Sequence, residues 1–318
     1  MLRYVARRLL LALLTIWLAS LGVFLAVQAL PGDVATQILG QDATPKNVAL
    51  LRTELGLDKP AWRRYLDWLG SLLHGDLGHS LVSHASVASE VGVRLRNTLM
   101  LASVTVVLGV TLAIVLGVIA GLTRDRWPDL AISALSLVGM SMPEFVIATL
   151  LVLFFSIDIP LFPAVVTAGA DATPGELLPA IWLPSAALTV VMAAYIIRML
   201  RTSVIDVMAG EFVAMARLKG MSPLRVVVRH ALPSALLPTL NVIAMNIAWL
   251  VGGVVVVESV FNYPGVGLLT VEAVHDRDLP VIQSIAVLGA VTYVLCNLAA
   301  DLAAMALNPR LRTSRRAA

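Results

Sequence analysis

Six stretches of this chain are apolar over about twenty residues or more, and that pattern leaves few folds open. They cover roughly 9–30, 98–122, 130–157, 178–197, 235–257 and 281–307. About 20 apolar residues, rising roughly 1.5 Å each, cross the hydrocarbon of a bilayer. Each stretch therefore predicts a transmembrane helix. Glycine and proline interrupt several of them, which membrane helices tolerate better than soluble ones. The composition agrees. Hydrophobic residues make up 59% and charged residues 14%, against roughly 45–50% and about 25% in soluble domains. Arg3, Arg7 and Arg8 precede the first stretch, as in a secretory signal. A signal has an apolar core of only about 7–15 residues, so 9–30 reads as an uncleaved first helix.

Lysine and arginine set the orientation. With the N-terminus inside, the inner segments carry fifteen of the 23 basic residues and four acidic ones. The outer segments then carry eight basic and fourteen acidic residues. The reading is an all-α protein with six helices and both termini in the cytoplasm. It divides into the N-terminus with helix 1 (1–30), an external cap (31–97), a five-helix core (98–307) and a basic tail (308–318). Within the cap, Ala61 to Leu69 reads as an amphipathic helix whose aromatics suit the headgroup level. The net charge of +3 gives no footing for nucleic acid. The single cysteine, Cys296, excludes an intramolecular disulfide and a cysteine metal site, and reads as a packing residue.

The inner segment 198–234 is the most informative. Glu211 to Lys219 is helix-prone, and Gly220 follows where a left-handed residue closes a helix. Ser222 and Pro223 read as N-cap and first turn of a second helix. Arg225 and Arg229 lie four apart on that helix, and Pro233 is expected to end it before the fifth span. The pair is too polar to insert and too apolar to stay bare, so it predicts a docking surface.

These residues resemble the EAA loop of ABC importer permeases. Glu211, Ala214, Ala216, Gly220 and Pro233 match its pattern, and Arg217, Lys219, Arg229 and His230 match an extended form. Met215 and Ser234 depart from the usual residues. Further matches are Leu30-Pro31-Gly32-Asp33, Leu55 to Pro60, Gly75 to Ser80, Glu258 to Phe261 with Pro264, Gly265 and Gly267, Arg277 to Pro280, and Asn308 to Arg312. Together they resemble the first, B-type permease of dipeptide, oligopeptide and nickel importers over nearly the whole chain. The resemblance implies a bacterial inner-membrane subunit paired with a second, related permease. It implies two ATP-binding subunits, which hold ATP and magnesium, and an external binding protein that delivers the solute. It places Glu258, Phe261, Pro264, Gly265 and Gly267 in an external gate or cap motif. Peptides are the expected cargo; nickel complexes, glutathione and opine-like solutes are the alternatives.

Glu144 falls inside the third stretch. An intramembrane acid costs about 2.5–3.5 kcal/mol on insertion scales, so it is a candidate lining of the pathway, or else sits at a helix edge or permease interface. Asp301, near the end of the last stretch, reads as structural. His74, His79 and His84 recur every five residues, a spacing that does not gather three ligands on one helical face. No metal site is expected. No phosphate-binding Gly-x-x-x-x-Gly-Lys-Ser/Thr motif occurs, so ATP hydrolysis is expected on another chain. A membrane scaffold or sensor remains the alternative of another class.

Overall fold

The computed structural model describes residues 2–29, 34–39, 43–54 and 56–307. The motifs at 30–33 and 308–312, the tail 308–318, Leu55, and the side chains of Cys296 and Asp301 lie outside the described residues. Among the described residues the chain is helical, with one isolated antiparallel bridge between His79 and Ser86. It divides into two units.

The first unit holds residues 1–98, 169–171 and 264–294. It contains α1 (Leu2–Gln28), α2 (Val34–Leu39), α3 (Pro45–Glu54), α4 (Ala61–Leu73), the start of α5 (Val87–Leu122), α14 (Val266–Asp276) and much of α15 (Leu279–Leu307). The apolar face of α5, Val87 and Val91, packs on Leu269, Ala273, Val281 and Ile285. Polar ties fix this packing. The buried Asp278 carboxylate accepts the Ser80 hydroxyl and the Leu81 N–H, the latter at 3.2 Å. Asn97 Nδ2 donates to the carbonyls of Ala170 and Pro264, both at 2.9 Å. Thr98 Oγ1 accepts the Val266 N–H at 2.8 Å and so satisfies a free donor at the start of α14. Helix α5 thus begins eleven residues before the predicted start of the second stretch, at Val87 rather than Thr98. Its first three turns carry Glu90, Arg94, Arg96 and Asn97 beside the apolar Val87 and Val91, and they are held by packing on α14 and α15 and by these side-chain partners.

The second unit holds residues 99–168, 172–263 and 295–318. It contains the rest of α5, then α6 (Trp127–Ser141), α7 (Glu144–Val152), the short α8 (Pro174–Leu177), α9 (Trp182–Met208), α10 (Glu211–Leu218), α11 (Pro223–Val226), α12 (Leu232–Gly253) and α13 (Val255–Phe261). Helix α9 is its centre and packs on α6, α7, α12 and α13. Gly109, Ala113, Gly117 and Gly121 recur every four residues on α5. A Cβ at Gly117 would stand 3.0 Å from Leu200, and one at Gly121 would stand 2.7 Å from Val204. Small residues let α5 and α9 approach closely, the usual means of helix association in lipid. Between α6 and α9, the buried carboxylate of Asp129 takes both Nε and Nη2 of Arg201, the latter at 2.7 Å, and also the Asp125 N–H and the Ser133 hydroxyl.

Among the described residues three helices are long and apolar enough to cross a membrane: Val87–Leu122, Trp182–Met208 and Pro223–Leu250. The third predicted stretch, 130–157, is not one helix. It breaks between Ser141 and Glu144, and the two halves meet at 107°. Pro143 disfavours helical geometry at the residue before it, and Met142 is accordingly extended, with φ −86° and ψ 134°. Shorter apolar helical stretches cover Leu10–Ala26 and Leu279–Leu295.

Candidate functional site

The helix pair predicted within 198–234 is present, with different ends. Helix α9 continues through Met208, so the connection proper starts at Ala209. Gly210 is the extended N-cap of α10, at φ −72° and ψ 147°. A Cβ there would lie 3.0 Å from the Val207 carbonyl and 3.1 Å from the Phe212 ring, so the entry to α10 is tight. Glu211 sits in the first turn and Arg217 in the last, each favourable with the helix dipole. Gly220 is left-handed, at φ +77°. Its N–H bonds the Arg217 carbonyl at 2.9 Å, and the Met221 N–H bonds the Ala216 carbonyl at 3.3 Å. These two bonds are the Schellman closure of a helix. Ser222 is then extended and Pro223 opens α11, as the sequence predicts.

Pro233 does not end the second helix. Residues 227–231 form a π-turn, and α11 runs through it into α12. A proline removes one ladder donor and crowds the carbonyl four residues back. The wider turn just before it shifts the ladder register, so the helix passes Pro233 without ending.

The pair has two faces. Val213 is fully buried, and with Ala216 and Val226 it packs against Val207, Met208 and Met221. Sequence reasoning did not single out Gly210 or Val226, and it took Val213, with Glu211 and Phe212, only as a match to the extended form of the loop; the recurrence of Val213 and Ala216 at i and i+3 was the available signal for the inner face. The outer side carries Phe212, Met215 and Leu218 on α10, with Leu224 and Val228 beyond the turn, and Leu218 is 82% exposed. Glu211, Arg217, Lys219, Arg225 and Arg229 are exposed around these side chains, and His230 is half-buried. Ala214 is exposed, whereas Ala216 points inward. A Cβ on Gly220 would meet no atom of this chain within 4 Å, so left-handed geometry, not crowding within the chain, calls for glycine there. Large side chains held bare on a packed helix pair, rimmed by charge, are suited to burial against another protein.

Glu144 opens α7, directly after the proline break, and is half-buried. The free N–H groups of a helix N-terminus favour a carboxylate there, which lowers the cost expected for an acid within an unbroken span. An apolar cleft of about 490 Å³ lies in the crook between α6, α7 and α9; Ser136 is a polar member of its wall, and Glu144 does not line it. Glu258 and Phe261 on α13 are buried in the second unit. Asn262, left-handed at φ 50°, ends α13, and its side chain donates to the Val166 carbonyl at 3.1 Å. Pro264, Gly265 and Gly267 belong to the first unit, with Gly265 the extended N-cap of α14. His74 bonds its own helix through Gly70, His79 forms the bridge to Ser86, and His84 is left-handed. Among the described residues no group of three His, Cys, Asp or Glu side chains converges.

Residues 113–313 match the family described as "Binding-protein-dependent transport system inner membrane component". Residues 1–102 match "Binding-prot-dependent transport system membrane comp, N-term". The chain is 38% identical to the glutathione transport system permease protein GsiC of Escherichia coli strain K12 over 312 residues, covering 98% of this chain and 99% of that protein. The GsiC of Shigella dysenteriae serotype 1 is also 38% identical over the same length. Among solved structures, an inward-facing MetNI methionine ABC transporter aligns with a TM-score of 0.57 at 21% identity, over 69% of this chain and 96% of that chain. That likeness concerns the fold.

Proposed function

From the premise that the chain belongs to the family of binding-protein-dependent transport system inner membrane components, we propose that it docks ATP-binding subunits through α10 and α11 and carries a short peptide of the glutathione class. The chain is an ABC importer permease subunit of the inner membrane, and such a subunit is not itself a catalyst. The observation that carries the docking reading is the two-faced loop. Its inner face is packed by Val213, Ala216 and Val226, and its outer face leaves Phe212, Met215 and Leu218 bare.

On this reading Glu211, Ala214, Arg217, Lys219, Gly220, Arg225, Arg229 and His230 form or hold the contact surface, with Ala216 as its inner support. ATP and magnesium stay on the two partner subunits. Their closure pushes on α10, and the direct continuation of α11 into α12 gives that push a rigid path into the membrane helices. On this reading the six apolar stretches are six spans, and the charge asymmetry of the sequence puts both termini inside. A second, related permease completes the pathway, and an external binding protein delivers the cargo. Glu144 lines the pathway at the proline break, and Glu258, Phe261, Pro264, Gly265 and Gly267 belong to the external gate. The permeases named for glutathione transport share 38% identity over 98% of this chain, which favours that cargo within the broader peptide range.

The test is reconstitution of the chain with its co-expressed partners in proteoliposomes, supplied with the binding protein. ATP-dependent uptake of labelled glutathione supports the cargo assignment. Uptake of other dipeptides or oligopeptides, with glutathione ignored, moves the cargo within the peptide range. Absence of any ATP-driven uptake by an intact complex rejects the transport reading.

A further inference from the structure

Helix α4 carries two apolar stripes; one packs on the chain, and the other is bare at Trp62, Leu66 and Leu73 with Leu69 half-buried at its edge. Tyr65, Trp68 and Leu72 form the first. Tyr65 is buried, its ring stands edge-on 5.2 Å from Phe24, and its hydroxyl is 2.9 Å from Ser20 Oγ. Nearby, Arg64 Nη2 donates to Gln28 at 2.6 Å. These contacts seat α4 along the last turns of α1. Trp62, Leu66, Leu69 and Leu73 form the second stripe. Their spacing of four, three and four places them within about 60° of one another on a helix. Trp62 is 63% exposed and Leu73 80% exposed. Arg63, Asp67 and Ser71 occupy the remaining face and are exposed.

We infer that α4 is a lipid-contacting helix, with Trp62, Leu66, Leu69 and Leu73 immersed at the acyl boundary of the leaflet that the C-terminal half of α1 crosses. The inference rests on reading α1 as a membrane span, as the proposed function does, and needs no choice of which side is outside. The depth of the seat is the argument. Ser20 lies eight residues before Gln28, about 12 Å down α1 at 1.5 Å per residue, in a hydrocarbon layer about 30 Å thick. On α1 itself Leu18 and Leu25 flank this seat and are exposed, which in a span means facing lipid. The free stripe of α4 therefore continues a surface already turned to acyl chains. The rim suits an interface: the Arg63 guanidinium lies 5.8 Å from the centre of the Trp62 ring. A tryptophan at headgroup level beside a cation that reaches for phosphate or water is the usual end of an interfacial amphipathic helix.

Single cysteines at Trp62, Leu66, Leu69, Leu73, Arg63, Asp67, Leu18 and Leu25, in a Cys296→Ala background, test this in the full chain held in lipid nanodiscs. Each is spin-labelled, and its collision with oxygen, which partitions into lipid, is compared with that of a water-soluble nickel complex. The inference expects the four stripe labels to match Leu18 and Leu25 in high oxygen and low nickel accessibility, with Arg63 and Asp67 reversed. Stripe labels as nickel-accessible as Asp67 overturn it by showing water. Stripe labels shielded from both reagents overturn it by showing a covering protein. If Leu18 and Leu25 are themselves open to nickel, the span reading falls and the inference with it, whereas their lipid exposure beside a wet stripe removes the inference alone.

Discussion

Replacing Gly220 separates two reasons for a glycine at the end of α10. Its φ of +77° is the left-handed region. A Cβ there meets no atom of the chain, so the intramolecular cost is conformational alone. That cost is about 1–2 kcal/mol for an ordinary residue, and asparagine, which enters this region more readily, has a smaller one. One or two kcal/mol changes a local equilibrium by a factor of about 5–30. The Schellman closure of α10 should therefore loosen in the order asparagine, alanine, then leucine, with a β-branched valine worst. ATPase activity of the purified complex, stimulated by loaded binding protein, reads the coupling directly, and membrane insertion of the chain should be unchanged. Normal transport by Gly220→Leu would refute the reasoning outright. Full uncoupling by Gly220→Asn, as severe as by valine, would refute its conformational part and place a close partner contact at that atom instead.

The ion pair between Asp129 and Arg201 gives a second prediction. Arg201→Met should destabilise the second unit by about 3 kcal/mol, because it strands a buried carboxylate, while the double change with Asp129→Leu should recover most of that loss in a thermal melt. Alanine at Gly121 should cost about 1–3 kcal/mol by overpacking against Val204 and the Arg201 carbonyl, whereas alanine at Gly109 meets mainly the flexible end of Met192 and should cost less; melting temperatures of the two variants compare them. Asp278→Ala should loosen the packing of α5 on α14, since Ser80 and Leu81 lose a buried acceptor, and earlier hydrogen exchange around Ser80 would show it. Glu144→Gln should change the KM or kcat of transport with the complex still assembled, and unchanged kinetics would remove Glu144 from the pathway.

Much of the helix pair α10–α11 was legible because its signals are local. Gly220, Ser222 and Pro223 declare a helix end and a helix start through backbone chemistry that needs no tertiary context. The prolines were harder. Pro143 breaks the third stretch while Pro233 does not end the second loop helix, although both stand in apolar surroundings. The difference lies in the preceding backbone: Met142 is extended, whereas the π-turn before Pro233 re-registers the ladder, and that register is not written in composition. The early start of α5 was hidden by Arg94, Arg96 and Asn97, which look like loop residues until Glu272, Ala170 and Pro264 appear as partners for Arg94 and Asn97. Ala216 matched a motif, but its inward direction depends on Val226, which reaches it only across the turn. In α4 the helical period alone was enough to expose amphipathicity, and the seat of Tyr65 on α1 was not, because it joins residues 45 apart.

The most direct measurement compares what co-purifies with the tagged chain in mild detergent before and after Met215→Asp and Leu218→Asp on the outer face of α10. The account predicts that the unaltered chain brings down a second permease and ATP-binding subunits, and that the doubly changed chain keeps the permease and loses the ATPases. ATP-binding subunits retained at full yield by the changed chain, or absent from the unaltered one, would contradict it.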